Sequence, residues 1–171
     1  VRVAGLDLSL AATGVADGSG TLTLRPKVTG PARLAKLRDE VLYLCQAAQV
    51  VAIEGYAFGR PNQATAIGEL GGVVKTALYE AGIPYVLIPP GTLKKFATGR
   101  GNATKPDMRM ALYKRAGLDV ADDNQVDAWW LRAAALDYYG EPLMAMPALN
   151  RSALASVTWP VLTPPGPSAV S

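Results

Sequence analysis

Apolar and polar positions alternate through the first ten residues, Val-Arg-Val-Ala-Gly-Leu-Asp-Leu-Ser-Leu. A period of two predicts a β-strand with Val1, Val3, Gly5 and Asp7 on one face and Ala4, Leu6 and Leu8 on the other. Gly14 to Asp17 and Thr21 to Val28 read as two more strands. The turn residues Asp17-Gly18-Ser19-Gly20 join them into an antiparallel meander. The period then changes. Thr29-Gly30-Pro31 starts a helix, and Leu34, Leu37, Val41, Leu44 and Ala48 recur at helical spacing up to Gln49. Val50 to Ile53 is wholly apolar, as expected of a strand buried on both faces. After a loop bearing Tyr56, Phe58 and Arg60, the positions Ile67, Leu70, Val74, Ala77, Leu78 and Ala81 predict a helix over 62–81. Gly68, Gly71 and Gly72 lie inside it at about 1 kcal/mol each, which predicts close approach by another backbone, from the sheet or from a partner. Ile83 to Ile88 is a further buried strand, stopped by Pro89-Pro90. Helices follow over Thr92–Ala97, Lys105–Ala116, and from a cap within Asp119–Asn124, the last with Val126, Trp129, Ala133 and Leu136 as its buried stripe.

Three meander strands followed by alternating helices and strands imply an α/β fold: a mixed five-stranded sheet, three strands antiparallel and two parallel, with helices packed on it. Strand 1 and the strand at 50–53 pair in parallel through a right-handed crossover. Their C-terminal ends then lie side by side, where ligands bind in open α/β sheets. Asp7 and Glu54 meet there. From Gly140 onward prolines break any long element. Residues 1–140 are therefore expected to form one domain and 141–171 a Pro-rich extension, with a short helix near Asn150–Val157 and disorder over 163–171.

Composition narrows the chemistry. Of 171 residues none is histidine and one, Cys45, is cysteine. Ser-His-Asp and Cys-His catalysis, disulfide frameworks and His- or multi-Cys zinc sites are excluded. Any metal must sit on oxygen ligands, which favours Mg²⁺ or Mn²⁺. No apolar run approaches the ~18 residues of a membrane span. The first strand begins at Val1, so neither a signal peptide nor a membrane partner is expected, and the location is expected to be cytoplasmic. Cys45 reads as a buried small apolar residue.

An acidic residue in an apolar strand is costly without compensation, and two carboxylates at neighbouring strand ends repel unless a cation joins them. Asp123 and Asp127, spaced i, i+4, share one helix face, and Asn124 lies three residues before Asp127. Asp122 or Asp123 also suits a helix N-cap. Together Asp7, Glu54, Asp123, Asn124 and Asp127 offer oxygen ligands from three elements. A two-metal site of this kind clamps attacking and leaving oxygens in phosphoryl transfer.

Gly5-Leu-Asp7 with Thr13-Gly14, Ala-Ile-Glu54, Pro90-Gly-Thr-Leu-Lys94, Thr98-Gly99-Arg-Gly101-Asn-Ala103-Thr-Lys105, and Asn124-Gln-Val-Asp127-Ala128 resemble, in order, the motifs of RuvC-type Holliday-junction resolvases of the ribonuclease H-like superfamily. The resemblance covers residues 1 to 138; the tail through Trp159-Pro160 faintly resembles phage-encoded relatives. It implies hydrolysis of a DNA phosphodiester with two Mg²⁺ ions (Mn²⁺ substituting), catalysed by Asp7, Glu54, Asp123 and Asp127, on a four-way junction bound by a homodimer in a bacterial cell. Two positions depart from the pattern. Gly55 replaces a glutamine, and Asn124 stands where the family has an acidic residue. Either Asp123 takes over as ligand, or Asn124 coordinates through its carbonyl oxygen.

Residues 92–115 hold Lys94, Lys95, Arg100, Lys105, Arg109, Lys114 and Arg115 against Asp107 alone, an excess larger than the chain's net charge of +3. Such a patch beside a carboxylate site fits a polyanion. The resemblance assigns Lys94 and Lys105 to DNA; Lys95 and Arg100 join them, and Lys114 and Arg115 read as a solvated helix face. Tyr56 and Phe58 either stack on an unpaired base or pack in the core. Two other readings remain: an actin-like or sugar-kinase phosphotransferase, for which the chain is too short, and a non-catalytic nucleic-acid-binding module, which Asn124 would favour.

Overall fold

The structure, a computed structural model, describes residues 1–55 and 61–162, with the backbone alone for residues 61–67. Five strands are β1 (Val3–Asp7), β2 (Thr13–Ala16), β3 (Thr21–Leu24), β4 (Val50–Glu54) and β5 (Tyr85–Ile88). Five main helices are α1 (Gly30–Cys45), α2 (Pro61–Glu80), α3 (Pro90–Thr98), α4 (Lys105–Ala116) and α5 (Asp123–Tyr138). A single turn of helix, α6 (Ala148–Arg151), runs into a 3₁₀ turn at Ser152–Ser156. The sheet has the order β3-β2-β1-β4-β5. β1 pairs antiparallel with β2 and parallel with β4, β2 antiparallel with β3, and β4 parallel with β5. This is the expected mixed sheet. Among the described residues no helix is long and apolar enough to cross a membrane.

The alternation in β1 sorts its side chains between two cores. Ala4 and Leu6 join Val51, Ile53, Leu37, Val41, Leu70 and Val74 beneath α1 and α2. Val3 joins Val50, Ala52, Val86, Phe96, Trp130 and Leu131 beneath α3, α4 and α5. Gly5 and Asp7 share the parity of Val3 and so face α5. Cys45 is buried, as expected. Trp129 and Trp130 are core residues, and the indole N–H of Trp130 donates to the Met108 carbonyl at 3.2 Å.

Several boundaries differ from those expected. β3 stops at Leu24 rather than Val28, and α1 stops at Cys45 rather than Gln49. Gln49 instead donates its backbone N–H to Arg2 O and accepts from Arg2 N through its side chain, feeding β4 into the sheet. At Gly68 and Gly72 of α2 the expected approach does not come from the chain's own sheet. A Cβ built at either position meets nothing within 4 Å. Both line an open groove of about 530 Å³ with Leu34, Arg38, Thr76 and Ala77.

Candidate active site

β1 and β4 run parallel with Leu6 opposite Ile53, so the next residues along, Asp7 and Glu54, emerge together at the C-terminal edge. α5 brings the third carboxylate. It lies so near the sheet that a Cβ on Gly5 would stand 2.1 Å from Ala128 O, and one on Gly14 2.0 Å from Asn124 O. Any side chain at either strand position would push the helix away. Arg132 fixes the same contact further along, donating from Nε to Val3 O at 3.2 Å. Asp7 pairs with Gly14 in the ladder, and Asp127 sits between the Asn124 and Ala128 contacts, so it faces the Asp7 strand end.

The consequence is electrostatic. Burial, then repulsion from Glu54 and Asp127, raises Asp7 far above the usual carboxylate range. Burial, then repulsion from Asp127, raises Glu54 as well. The two carboxyl groups lie close enough for each to shift the other, raising Asp7 and lowering Glu54. Burial pushes Asp127 up to about 6, with Lys105 and Lys94 opposing the rise. These side chains supply hard oxygen donors with too little local positive charge, which fits a divalent cation. Among the described residues no three carboxylates already stand in metal-binding geometry.

Asp122, not Asp123, is the N-cap of α5: its carboxylate accepts from Asn124 N at 2.9 Å. It also accepts from Asn124 Nδ2, Thr23 Oγ1 and Arg25, tying β3 to the helix start. Burial opposes ionisation there, but the bonds from Asn124, Thr23 and Arg25 outweigh it and hold Asp122 at about 2. Gln125 adds two bonds, to Thr21 and Thr23. Asp123 is the first helical residue, and its half-exposed carboxylate lies 3.4 Å from Lys105 Nζ. Burial would lower the Lys105 ammonium, but Asp123, Asp127 and Asp7 together raise it. Asn124 is held by its amide nitrogen, so its oxygen is the end left for a ligand.

Of the basic positions, Lys94 and Lys105 act on the carboxylates, both lowering Glu54 and Asp127. Lys95 is exposed. Arg100 pairs with Asp107 at 3.2 Å. Arg115 departs from the expected solvated role and donates to Ala97 O at 3.3 Å. Tyr56 and Phe58 lie outside the described residues. The sequence reading missed Gly5 and Gly14 as contact points for α5. A glycine inside a strand is the signal that could have found them. It also missed the Thr23–Asp122–Arg25 tie, for which no local pattern exists.

The sheet order, the crossover and the carboxylates at the ends of its two central parallel strands define a ribonuclease H-like α/β protein. No family model matches the chain. The crossover junction endodeoxyribonuclease RuvC of Rhodococcus jostii strain RHA1 is 37% identical over 122 residues, 61% of this chain and 64% of that protein. RuvC of Synechococcus sp. strain WH7803 is 30% identical over 82 residues, 47% of this chain and 53% of that protein. The fold is shared with Thermus thermophilus RuvC at 24% identity and a TM-score of 0.68, over 86% of this chain and all of that one. A second Thermus thermophilus RuvC structure, in complex with Holliday junction substrate, gives the same TM-score at 21% identity, over 85% of this chain and 99% of that one. In sequence the chain is similar to these RuvC proteins over part of its length, and in fold to Thermus thermophilus RuvC. The matches span less than two thirds of the length of these curated relatives.

Proposed function

We propose that the chain is a metal-dependent endodeoxyribonuclease that binds branched DNA and resolves four-way junctions by phosphodiester hydrolysis. The observation that carries this reading is the meeting of Asp7, Glu54 and Asp127, with Lys94 and Lys105 acting on them, on a fold shared with RuvC. In this reading the three carboxylates hold Mg²⁺, two ions per site, with the Asn124 oxygen or Asp123 as a further ligand. The metal supplies activation of water and charge stabilisation at the leaving oxygen. Lys94 and Lys105 draw the phosphate in and offset its repulsion by the carboxylates, and Lys95 and Arg100 extend the track. Asp122 sets the angle of α5 and hence the reach of Asp127. The nuclease domain is assigned to residues 1–140 and the extension to 141–171.

A homodimer belongs to the same reading. Resolution needs two nicks on opposing strands, one chain carries one carboxylate set, and two-fold symmetry is the commonest way to present two. The open groove along Gly68 and Gly72 leaves α2 free for such a contact.

The decisive assay incubates a labelled four-way junction with the protein and Mg²⁺ or Mn²⁺. Wild type should cut; Asp7→Asn, Glu54→Gln and Asp127→Asn should bind the junction and leave it intact. Substantial Mg²⁺-dependent cutting by Asp7→Asn would sink the site assignment. Asn124 gives a second reading its one support: a module that binds branched DNA without cutting it. Junction binding by a wild type that never cuts would favour that reading.

A further inference from the structure

The last four carbonyls of a helix have no partner within it. In α3, the helix that carries Lys94 and Lys95, three of the last four, those of Lys95, Phe96 and Ala97, are bonded. Lys94 O accepts from Thr98 Oγ1 at 2.8 Å, Lys95 O from Gly99 N at 2.9 Å and Ala97 O from Arg115 Nε at 3.3 Å. Phe96 O accepts from Asn150 Nδ2 at 2.7 Å, from a residue 54 positions away and 5% exposed. The other end of that amide also meets the turn. Asn150 Oδ1 stands 3.6 Å from where a Cβ on Gly99 would lie, and Gly99 has a φ of +86° that favours glycine. So one buried side chain from the tail grips the point where α3 gives way to the basic turn leading to Lys105.

That side chain is itself held from both sides. Asn150 N donates to Pro147 O at 2.9 Å. The next residue, Arg151, donates from Nε to the buried carboxylate of Asp137 on α5 at 2.7 Å. Leu154 is buried in the α5-side core. Trp159 donates from its indole to Leu154 O at 3.1 Å and stacks on Tyr138, ring centroids 4.1 Å apart. Tyr139 Oη closes the run on Pro160 O at 2.8 Å. Residues 147–160 thus form a strap anchored at the C-terminal end of α5, whose N-terminal end carries Asp123 and Asp127.

We propose that this strap, through Asn150, is a positioning element for DNA binding: it fixes the α3–α4 turn so that Lys94, Arg100 and Lys105 present a preformed track to DNA phosphates. The proposal rests on the nuclease reading above. Without Asn150, Phe96 O has no partner and the last turn of α3 is free to fray. Part of the track then no longer reaches the phosphates, and about one contact is lost from the complex.

The test uses the full chain and measures binding to a fluorescent four-way junction by anisotropy across a salt series, at a temperature where circular dichroism shows each variant folded. Counterion release makes the slope of log affinity against log salt a count of phosphate contacts, and a role in stability alone leaves it unchanged. Asn150→Ala should lose about tenfold in affinity at moderate salt, with a slope shallower by about one contact. In the same variant, hydrogen exchange of the Thr98–Thr104 amides should speed up without DNA present. Lys94→Ala in the Asn150→Ala background should then cost less than it does alone. Should Asn150→Ala not fold, Trp159→Ala releases the far end of the strap and should move the same slope in the same direction. A folded variant with a lower melting temperature, an unchanged slope and unchanged exchange would overturn the proposal while leaving the nuclease reading standing. A wild type that binds no DNA would overturn both.

Discussion

The two faces of the sheet meet their helices on different terms. Under α1 and α2 the contact is made by branched side chains, Leu37, Val41, Leu70 and Val74 against Leu6, Val51 and Ile53, and Gly68 and Gly72 of α2 face open space. Under α5 the contact at Gly5 and Gly14 is backbone against backbone. The first arrangement gains from apolar area and tolerates small shifts. The second cannot shift, and it drives three carboxylates into partial burial. A fold gives up stability on the face where it needs position, and the unfavourable carboxylates of β1, β4 and α5 are what that face holds in place.

The largest effects should come from the glycines. Gly5→Ala and Gly14→Ala place a Cβ about 2 Å from a helix carbonyl, and should cost about 3 kcal/mol or more. Gly72→Ala adds a Cβ in open space and should stabilise by about 0.5–1 kcal/mol. Urea melts of the three variants decide it; equal effects on both faces would erase the contrast.

Next is pH. Asp7, Glu54 and Asp127 have folded-state values raised above their unfolded ones, so the folded state holds their protons longer. Their full contribution is present below pH ~4 and is lost as pH rises through the folded values. For Asp127, at about 6, this amounts to at most about 3 kcal/mol. Metal-free protein should therefore melt lower at pH 8 than at pH 5, and Mg²⁺ should raise the melting temperature at pH 8 far more than at pH 5. Asp122 has the opposite sign: held at about 2, it contributes above pH ~4 and is lost below. A flat melting temperature from pH 5 to 8, unresponsive to Mg²⁺, would remove the electrostatic cost from the α5 face.

Smaller is Asp122→Ala, which removes the cap and its tie to Thr23 and Arg25. It should cost about 1 kcal/mol, and single-turnover cleavage should fall further than the melt implies, because α5 carries Asp127. A normal rate in the folded variant would mean the cap stabilises without positioning. Least of all should be Glu40→Ala on the α1 face, whose pair with Lys36 is an exposed i, i+4 bridge worth about 0.3–0.5 kcal/mol.

The fold was largely legible because period-two and helical patterns report burial directly. The alternation of β1 gave both the face of Asp7 and the division of the cores, and the apolar run of β4 its burial on both sides. The meeting of Asp7 and Glu54 followed from one parallel pairing. What lay beyond reading were contacts made by backbone. The close approaches within the chain occur at Gly5 and Gly14 rather than at Gly68 and Gly72, since a missing side chain does not reveal what fills its place. Asn150 was invisible for the same reason: its partner is the carbonyl of Phe96, and any residue at 96 would supply one. Asp122 and Asp123 were equivalent as caps until the backbone chose between them.

The contact of α5 with β1 has a kinetic consequence. Its partners stand more than 100 residues apart, Gly5 against Ala128 and Val3 against Arg132, and contacts of such sequence separation form late, because a long loop must close first. On the ribosome β1, β2, β3, β4, α1 and α2 emerge well before residue 123, so the α1–α2 side is available to collapse while the opposite face of the sheet waits uncovered. The cluster of three carboxylates is therefore completed only once the chain has been synthesised through α5. Nascent chains shorter than that carry Asp7 and Glu54 without Asp127.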